Sequence, residues 1–538
     1  MTRHSEYGSA IPLSDLLNWL EDGEELAFID IREEGLYGDD HPLLAVNAPY
    51  SLMENQFPAL VPRANTRTVL LAENTARGER AAGRLSVLGY SDIHVLDGGI
   101  GAWEQAGLPL FKGVNVPYKA FAELIEHFHH TPAIEPGELA RLIEQQGDYV
   151  LLDSRTVEEY DRFHVPSAIS VPSAELLYRF DDLVPSPDTL VVVSCAGRTR
   201  GIIGAQTLIN AGVPNQVLAL SGGTQGWRLA DLATVQDGAR YFQPQSEVAV
   251  QSARQRASGL AQRYEVQYID GAILRQWQQD GNRTTYVFDV RNSDEYRRGH
   301  RADARWVPGG QLVQALDKWV GTRGGRIVLN DNDGVRATTT AHWLLQLGWQ
   351  CYVLAGIDEG SRPPSHILPP PLVPRIDAAA ARHRLENGTI GLSADRSWDY
   401  RRYHPAGTHW VNRSRLDNVP DLIGNAREIL VFAEQPALAH GVVMDLIDAG
   451  FNATAVEGKR QDWLAAGLEL HSSSQTPGDN LQIDFLFWLH DRHEGNAAAS
   501  AAYLAWEADL PHQVGDPAKA HFKLGPADGD AGGPANIH

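Results

Sequence analysis

Cysteine is nearly absent, with only Cys195 and Cys351 in 538 residues. So few thiols exclude a small secreted scaffold stapled by disulfides and fit a reducing compartment. No run of about 18 apolar residues occurs, so no membrane-spanning helix is expected. The first residues, MTRHSEYGSAIPLSDLL, lack the continuous apolar stretch of a secretory signal. These absences place the chain in the cytoplasm as an expectation. Positive charge is also in deficit, 46 Lys and Arg against 68 Asp and Glu, for a net charge of −22. Such a surface repels phosphate backbones and anionic bilayers, so neither nucleic acid nor a membrane is an expected partner. Apolar residues make up 43%, an ordinary globular composition, and the length suggests three to four domains.

What is present is a repeat. Four segments share one order of signals: an apolar strand ending in an acidic turn, a Tyr-x-x-x-His stretch, a second apolar strand, a helix closed by Gly, and a third strand. The acidic turns are Asp30-Ile31-Arg32, Asp153-Ser154-Arg155, Asp289-Val290-Arg291 and a blurred Ser393-Ala394-Asp395-Arg396. The aromatic pairs are Tyr37/His41, Tyr160/His164, Tyr296/His300 and Tyr400/His404. Gly89, Gly212, Gly348 and Gly450 follow the helical stretches as left-handed caps. Strands alternating with helices predict an α/β fold: four tandem domains, each a mostly parallel sheet with helices on both faces. The boundaries read from the pattern are 7–112, 132–232, 263–361 and 374–470. A helical linker is expected at 233–262, a Pro-rich one at 362–374, and a tail at 481–538. In that tail an aromatic segment (481–490) is expected to pack, an Ala-rich helix lies near 496–507, and the last dozen residues have an unstructured composition.

Chemistry in such folds sits where strands run into helix N-termini. Counting 17 residues back from each closing Gly reaches Ala72, Cys195, Asp331 and Ala433. Only repeat two offers a nucleophile there, in the loop Cys195-Ala196-Gly197-Arg198-Thr199-Arg200-Gly201. Loop N–H groups, the helix end and two arginines all favour negative charge on sulfur, so the Cys195 thiol pKa is expected to fall.

The pattern resembles the rhodanese family over about 400 residues. The resemblance rests on Asp153 and Arg155, Glu159-Tyr160, His164 and Pro166, the Cys195–Arg200 loop, and Leu220-Ser221-Gly222-Gly223 with Trp227. It implies a sulfurtransferase of the thiosulfate type with Cys195 as the catalytic nucleophile. Sulfane sulfur would pass from thiosulfate or a related small anion to cyanide or a thiol through a Cys195 persulfide, with no cofactor and no metal. Ala196, Gly197, Arg198, Thr199, Arg200 and Gly201 would bind substrate, the two arginines gripping a sulfonate-like group. Asp153, Arg155, Glu159 and His164 are read as supporting residues. His164 recurs in repeats without cysteine, which favours a structural role. An inactive repeat one is expected to pack on repeat two, as in two-domain rhodaneses, and a homodimer is the default assembly.

Two other readings compete. Three domains without the nucleophile could make the chain a persulfide relay or scaffold loaded by a protein partner. Cys-dependent phosphatases and arsenate reductases share this fold but use Cys-x5-Arg, whereas four residues separate Cys195 from Arg200 here. Asp331 and Asp333 put negative charge into the loop of repeat three, which should repel an anion. Cys351, within an apolar strand, reads as core, and Glu126-His127-Phe128-His129-His130 lacks the spacing of a tetrahedral metal site.

Overall fold

The computed structural model of the chain describes residues 8–236, 246–356, 360, 366–424, 426, 428–487, 490 and 496–526. Parts of the two expected linkers, Trp488 and Leu489 of the aromatic segment, and the chain after residue 526 lie outside these residues.

Each repeat builds one five-stranded sheet, and each sheet has its strands in the order first, fifth, fourth, second, third. In repeat two these are β1 (Ala133–Ile134), β2 (Tyr149–Asp153), β3 (Ile169–Ser170), β4 (Leu190–Ser194) and β5 (Val217–Leu220). Their pairings are parallel, with Leu152 beside Val193 and Asp153 beside Ser194. Parallel neighbours need crossover helices, and these cover both faces. Hence Val191, Val192 and Val193 are consecutive and all fully buried, with no polar alternation. The central strand β4 therefore delivers Cys195 to the edge of the sheet where β2 delivers Asp153.

Around that edge lie α1 (Val116–His129), α2 (Val157–Arg162), α3 (Thr199–Asn210), α4 (Gly223–Leu229) and α5 (Ala497–Val514). The four closing glycines do adopt left-handed backbone, with φ of 96°, 69°, 84° and 89°. The Tyr/His pairs stack at 3.8 Å in all four repeats. No helix among the described residues is long and apolar enough to cross a membrane.

The chain forms two compact units, Met1–Val114 with Ser365–Leu489, and Asn115–Pro364 with His490–His538. Repeats one and four share the first unit, repeats two and three the second. In the first, buried Arg413 binds Glu54 at 2.6 Å and Asp445 at 3.0 Å. Phe485 of the aromatic segment stacks on Trp398 at 4.7 Å there. In the second, Arg336 reaches Glu175 at 3.0 Å, and Trp343 Nε1 donates to Thr207 Oγ1 at 2.8 Å. The packing expected of repeat one on repeat two is thus not the pairing inside either unit. Repeat two instead meets repeat three, whose Gly309 and Gly310 let the backbone approach Ser173 and Ala174. A Cβ on either glycine would stand 3.0 Å or less from Ala174 or Ser173.

Candidate active site

The peptide following β4 turns at once into α3, so Cys195 to Arg198 form a tight loop. Gly197 and Gly201 donate backbone hydrogen bonds to the Cys195 sulfur. The loop carbonyls are tied outward by the start of α4. Thr224 donates to Cys195 O through N (2.8 Å) and Oγ1 (2.6 Å), and Gln225 N donates to Ala196 O at 3.0 Å. This close approach needs glycine. Gly223 sits at φ 55°, and a Cβ there would lie 2.4 Å from Cys195 O and 2.5 Å from Gly197 O. The Leu-x-Gly-Gly signature therefore shapes the cysteine loop from outside.

Arg200, in the first turn of α3, is buried and grips Glu159 with two bonds of 2.6 and 2.7 Å. Glu159 also caps α2 through Thr156 at 3.3 Å. Burial alone would raise the Glu159 pKa, but Arg200 overrides it and holds the carboxyl down at about 2. Asp153 and Arg155 form a buried pair at 2.7 Å, and Arg155 Nη2 donates to Phe163 O at 2.7 Å. They brace the turn beneath the loop. His164 stacks on Tyr160, and its Nδ1 lies 3.1 Å from Tyr160 O. Repetition of that stack in repeats lacking cysteine marks it as packing.

Other carboxylates come from outside the repeat. Arg198 pairs with Glu123 at 2.8 Å and with Glu126, both on α1. Burial pushes Glu123 up to about 7 against the pull of Arg198. Thr199 Oγ1 donates to Glu507 Oε1 of α5 at 2.6 Å. Leu504 of α5 also lies over Gly197. Both arginines expected to grip substrate thus have their guanidinium groups on protein carboxylates. The basic groups nearest an open space are others. A cavity of about 170 Å³ opens beside Ala196, lined among others by Arg155, Arg162, Phe163, Thr224, Gln225 and Arg228. Arg162 and Arg228 are exposed, and Arg228 stacks on Phe163 at 5.2 Å.

Cys195 is 2% exposed. Its thiol does not fall in pKa as expected; burial pushes it up to about 11, and Glu507 adds to the rise. Arg200 and the two glycine N–H groups pull the other way without winning. The local loop chemistry has the expected sign, but burial beneath α1 and α5 outweighs it. Raising a thiol from 9 to about 11 costs the thiolate about 3 kcal/mol.

The equivalent loops of the other repeats make different contacts. In repeat three the Asp331 carboxylate accepts from Gly334 N (2.7 Å) and Ala337 N (2.9 Å). Burial and Asp333 raise Asp331 to about 7. Arg336 is held by Glu295, Asp333 and Glu175. In repeat one Arg77 donates to Ser414 O at 2.5 Å, and in repeat four Glu434 N donates to Asp395 at 2.7 Å. Cys351 is 1% exposed inside the strand Gln350–Leu354, where burial raises its pKa strongly. Among the described residues no group of three or more His, Cys, Asp or Glu is placed to hold a metal ion.

Sequence reasoning missed Tyr118, Glu123, Thr224, Gln225 and Glu507. Thr224 and Gln225 directly follow the Gly-Gly pair and could have been found from it; Glu507, some 300 residues from Thr199, left no signal.

The rhodanese-like domain family matches residues 13–106, 135–230 and 263–357, just over half of the chain. The crystal structure of a thiosulfate sulfurtransferase from Pseudomonas aeruginosa is 38% identical, with a TM-score of 0.89, covering 96% of this chain and all of that one. Among curated proteins, an uncharacterized protein from Synechocystis is 32% identical over 102 residues, 19% of this chain and 55% of that protein. An HTH-type transcriptional regulator from Mycobacterium tuberculosis is 36% identical over 107 residues, 20% of this chain and 46% of that protein. The chain spans about half the length of these curated relatives.

Proposed function

Because the chain belongs to the rhodanese family, we propose that it is a sulfurtransferase whose reaction runs through a persulfide on Cys195, with thiosulfate or a related small anion as donor. The observation that carries this reading is the inward set of N–H groups from Gly197 and Gly201 on the Cys195 sulfur. Backbone donors held in place before reaction stabilise charge without reorganising. In the first half-reaction Cys195 sulfur attacks the outer sulfur of thiosulfate, that sulfur's bond to the sulfonate breaks, and the thiol proton leaves with the products. Cys195 keeps a terminal persulfide anion and hydrogensulfite departs. In the second, cyanide or a thiol attacks the terminal sulfur, the persulfide bond breaks, thiocyanate or a new persulfide leaves, and the Cys195 sulfur takes back one proton from the acceptor's conjugate acid or water, a two-step covalent cycle.

Exposed Arg162 and Arg228 beside the cavity supply the positive charge that draws an anionic donor towards a chain of net charge −22. Repeats one, three and four have no role in bond making, since their loops offer Ala72, Asp331 and Ala433 in place of Cys195. The burial of Cys195 favours small donors over loading by a partner protein's persulfide. Steady-state formation of thiocyanate from thiosulfate and cyanide tests the reading. Turnover is expected for the intact chain and loss of turnover for Cys195→Ser; a chain that loads one sulfur and stops belongs to the relay reading instead. Hydrolysis of an aryl phosphate by Cys195 would overturn both.

A further inference from the structure

Resting on the sulfurtransferase reading, we propose that the cavity beside Ala196 is the acceptor site, where Arg162 and Arg228 select a small thiol carrying a carboxylate or sulfonate. The cavity is built against the cysteine loop. Ala196, the residue after Cys195, lines it. So do Thr224, which donates to Cys195 O at 2.6 Å, and Glu159, which holds Arg200. Its volume is about 170 Å³, far more than cyanide fills. A cavity of roughly 150 Å³ takes benzene, so an anionic group on a short carbon stem has room here.

The charge around the cavity has one sign. Arg155 is neutralised by Asp153 at 2.7 Å and Glu159 by Arg200 at 2.6 Å. Arg162, at the end of α2, and Arg228, on α4, are exposed and have no ion pair among the described residues. Two uncompensated cations beside the nucleophile run against a chain of net charge −22. One wall is the Phe163 ring, with Arg155 at 5.6 Å and Arg228 at 5.2 Å, a contact that holds the Arg228 guanidinium at the rim. Thiosulfate, polar all over, gains nothing from such a wall, whereas a thiol on a carbon stem does.

The internal repeats give an independent comparison. Arg162 stands two residues after Tyr160, and Arg228 one after Trp227. The same places hold Asp39 and Glu104 in repeat one, and Arg402 and Leu464 in repeat four; repeat three lacks that tryptophan. The basic pair therefore accompanies the cysteine and is reversed in sign in repeat one, so the fold itself does not require it. In the step this site serves, the acceptor sulfur bonds to the terminal sulfur of the Cys195 persulfide as that sulfur's bond to Cys195 breaks. The acceptor's thiol proton ends on Cys195, and a new persulfide anion leaves.

The test starts from enzyme loaded with thiosulfate, freed of donor and checked for one added sulfur by intact mass. Its discharge is timed with 3-mercaptopropionate, which is anionic, and with neutral 2-mercaptoethanol. Loading first removes the donor step from the measurement, and comparing variants cancels the intrinsic reactivity of each thiol. Only folded molecules load, so a folding defect does not imitate the effect. The anionic-to-neutral rate ratio is expected to fall by about tenfold or more from wild type to the double variant Arg162→Gln, Arg228→Gln. Each single variant lowers it less, and Arg228→Lys keeps most of it. An unchanged ratio in the double variant overturns the proposal. If that ratio holds while loading needs more thiosulfate, the cavity belongs to the donor and the proposal is likewise overturned. A wild type that gains no sulfur from thiosulfate instead refutes the sulfurtransferase reading on which the site rests.

Discussion

Two glycines with the same backbone requirement separate the shaping of the cysteine loop from ordinary helix capping. Gly212 and Gly223 lie at φ 69° and 55°, so alanine at either pays the left-handed penalty of roughly 1–2 kcal/mol. At Gly212 the new methyl meets nothing within 4 Å. At Gly223 it would stand 2.4 Å from Cys195 O, already held by Thr224, and 2.5 Å from Gly197 O. Backbone cannot swing aside as a side chain does, so overpacking adds about 1–3 kcal/mol there. Gly223→Ala is therefore expected to cost about 2–5 kcal/mol against about 1–2 kcal/mol for Gly212→Ala. It also turns the Gly197 N–H away from sulfur. Urea unfolding followed by tryptophan fluorescence, with sulfur loading measured on the folded fraction, reads both effects. Equal destabilisation by the two variants, or normal loading by Gly223→Ala, would refute the account of the Gly-Gly pair.

Further outcomes follow from other parts of the structure. Glu159 titrates at about 2, below its ordinary 4.5, so its pairing stabilises the fold above pH 4.5 and is lost as pH falls from there through about 2. With the side chain 35% exposed, we discount the contribution to about 1–2 kcal/mol. The stability gap between wild type and Glu159→Gln at pH 7 should close on acidification towards pH 2. Cys351→Ser, at a site 1% exposed, should cost roughly 1–2 kcal/mol in urea unfolding yet leave loading unchanged. Asp331→Cys places a thiol in the third loop, but Asp333 and Arg336 remain locked together at 2.7 Å. No second sulfur is expected in its intact mass after thiosulfate.

Much of this was legible because it is local. Strands such as Val191 to Val193, the closing glycines, the Asp153–Arg155 turn and the cysteine loop each announce themselves within a few residues. What was not legible depends on segments distant in sequence. The loop alone shows N–H groups and two arginines and so argues for an acidic thiol. The burial that reverses this comes from α1 and α5. Arg198 looks free beside Cys195 because its carboxylates, Glu123 and Glu126, belong to a helix before the repeat begins. The contact of repeat two with repeat three likewise runs through a close approach at Gly309 and Gly310, which no periodicity reveals. The Ala-rich helix was visible in composition, but its seat on the loop rests on Leu504 and Glu507, which carry no local motif.

The most direct measurement is the intact mass of the chain after brief thiosulfate treatment, beside Cys195→Ser. A gain of one sulfur atom, removed by cyanide and missing in the variant, is the predicted result. No gain in the wild type, or an equal gain in the variant, would contradict a persulfide on Cys195.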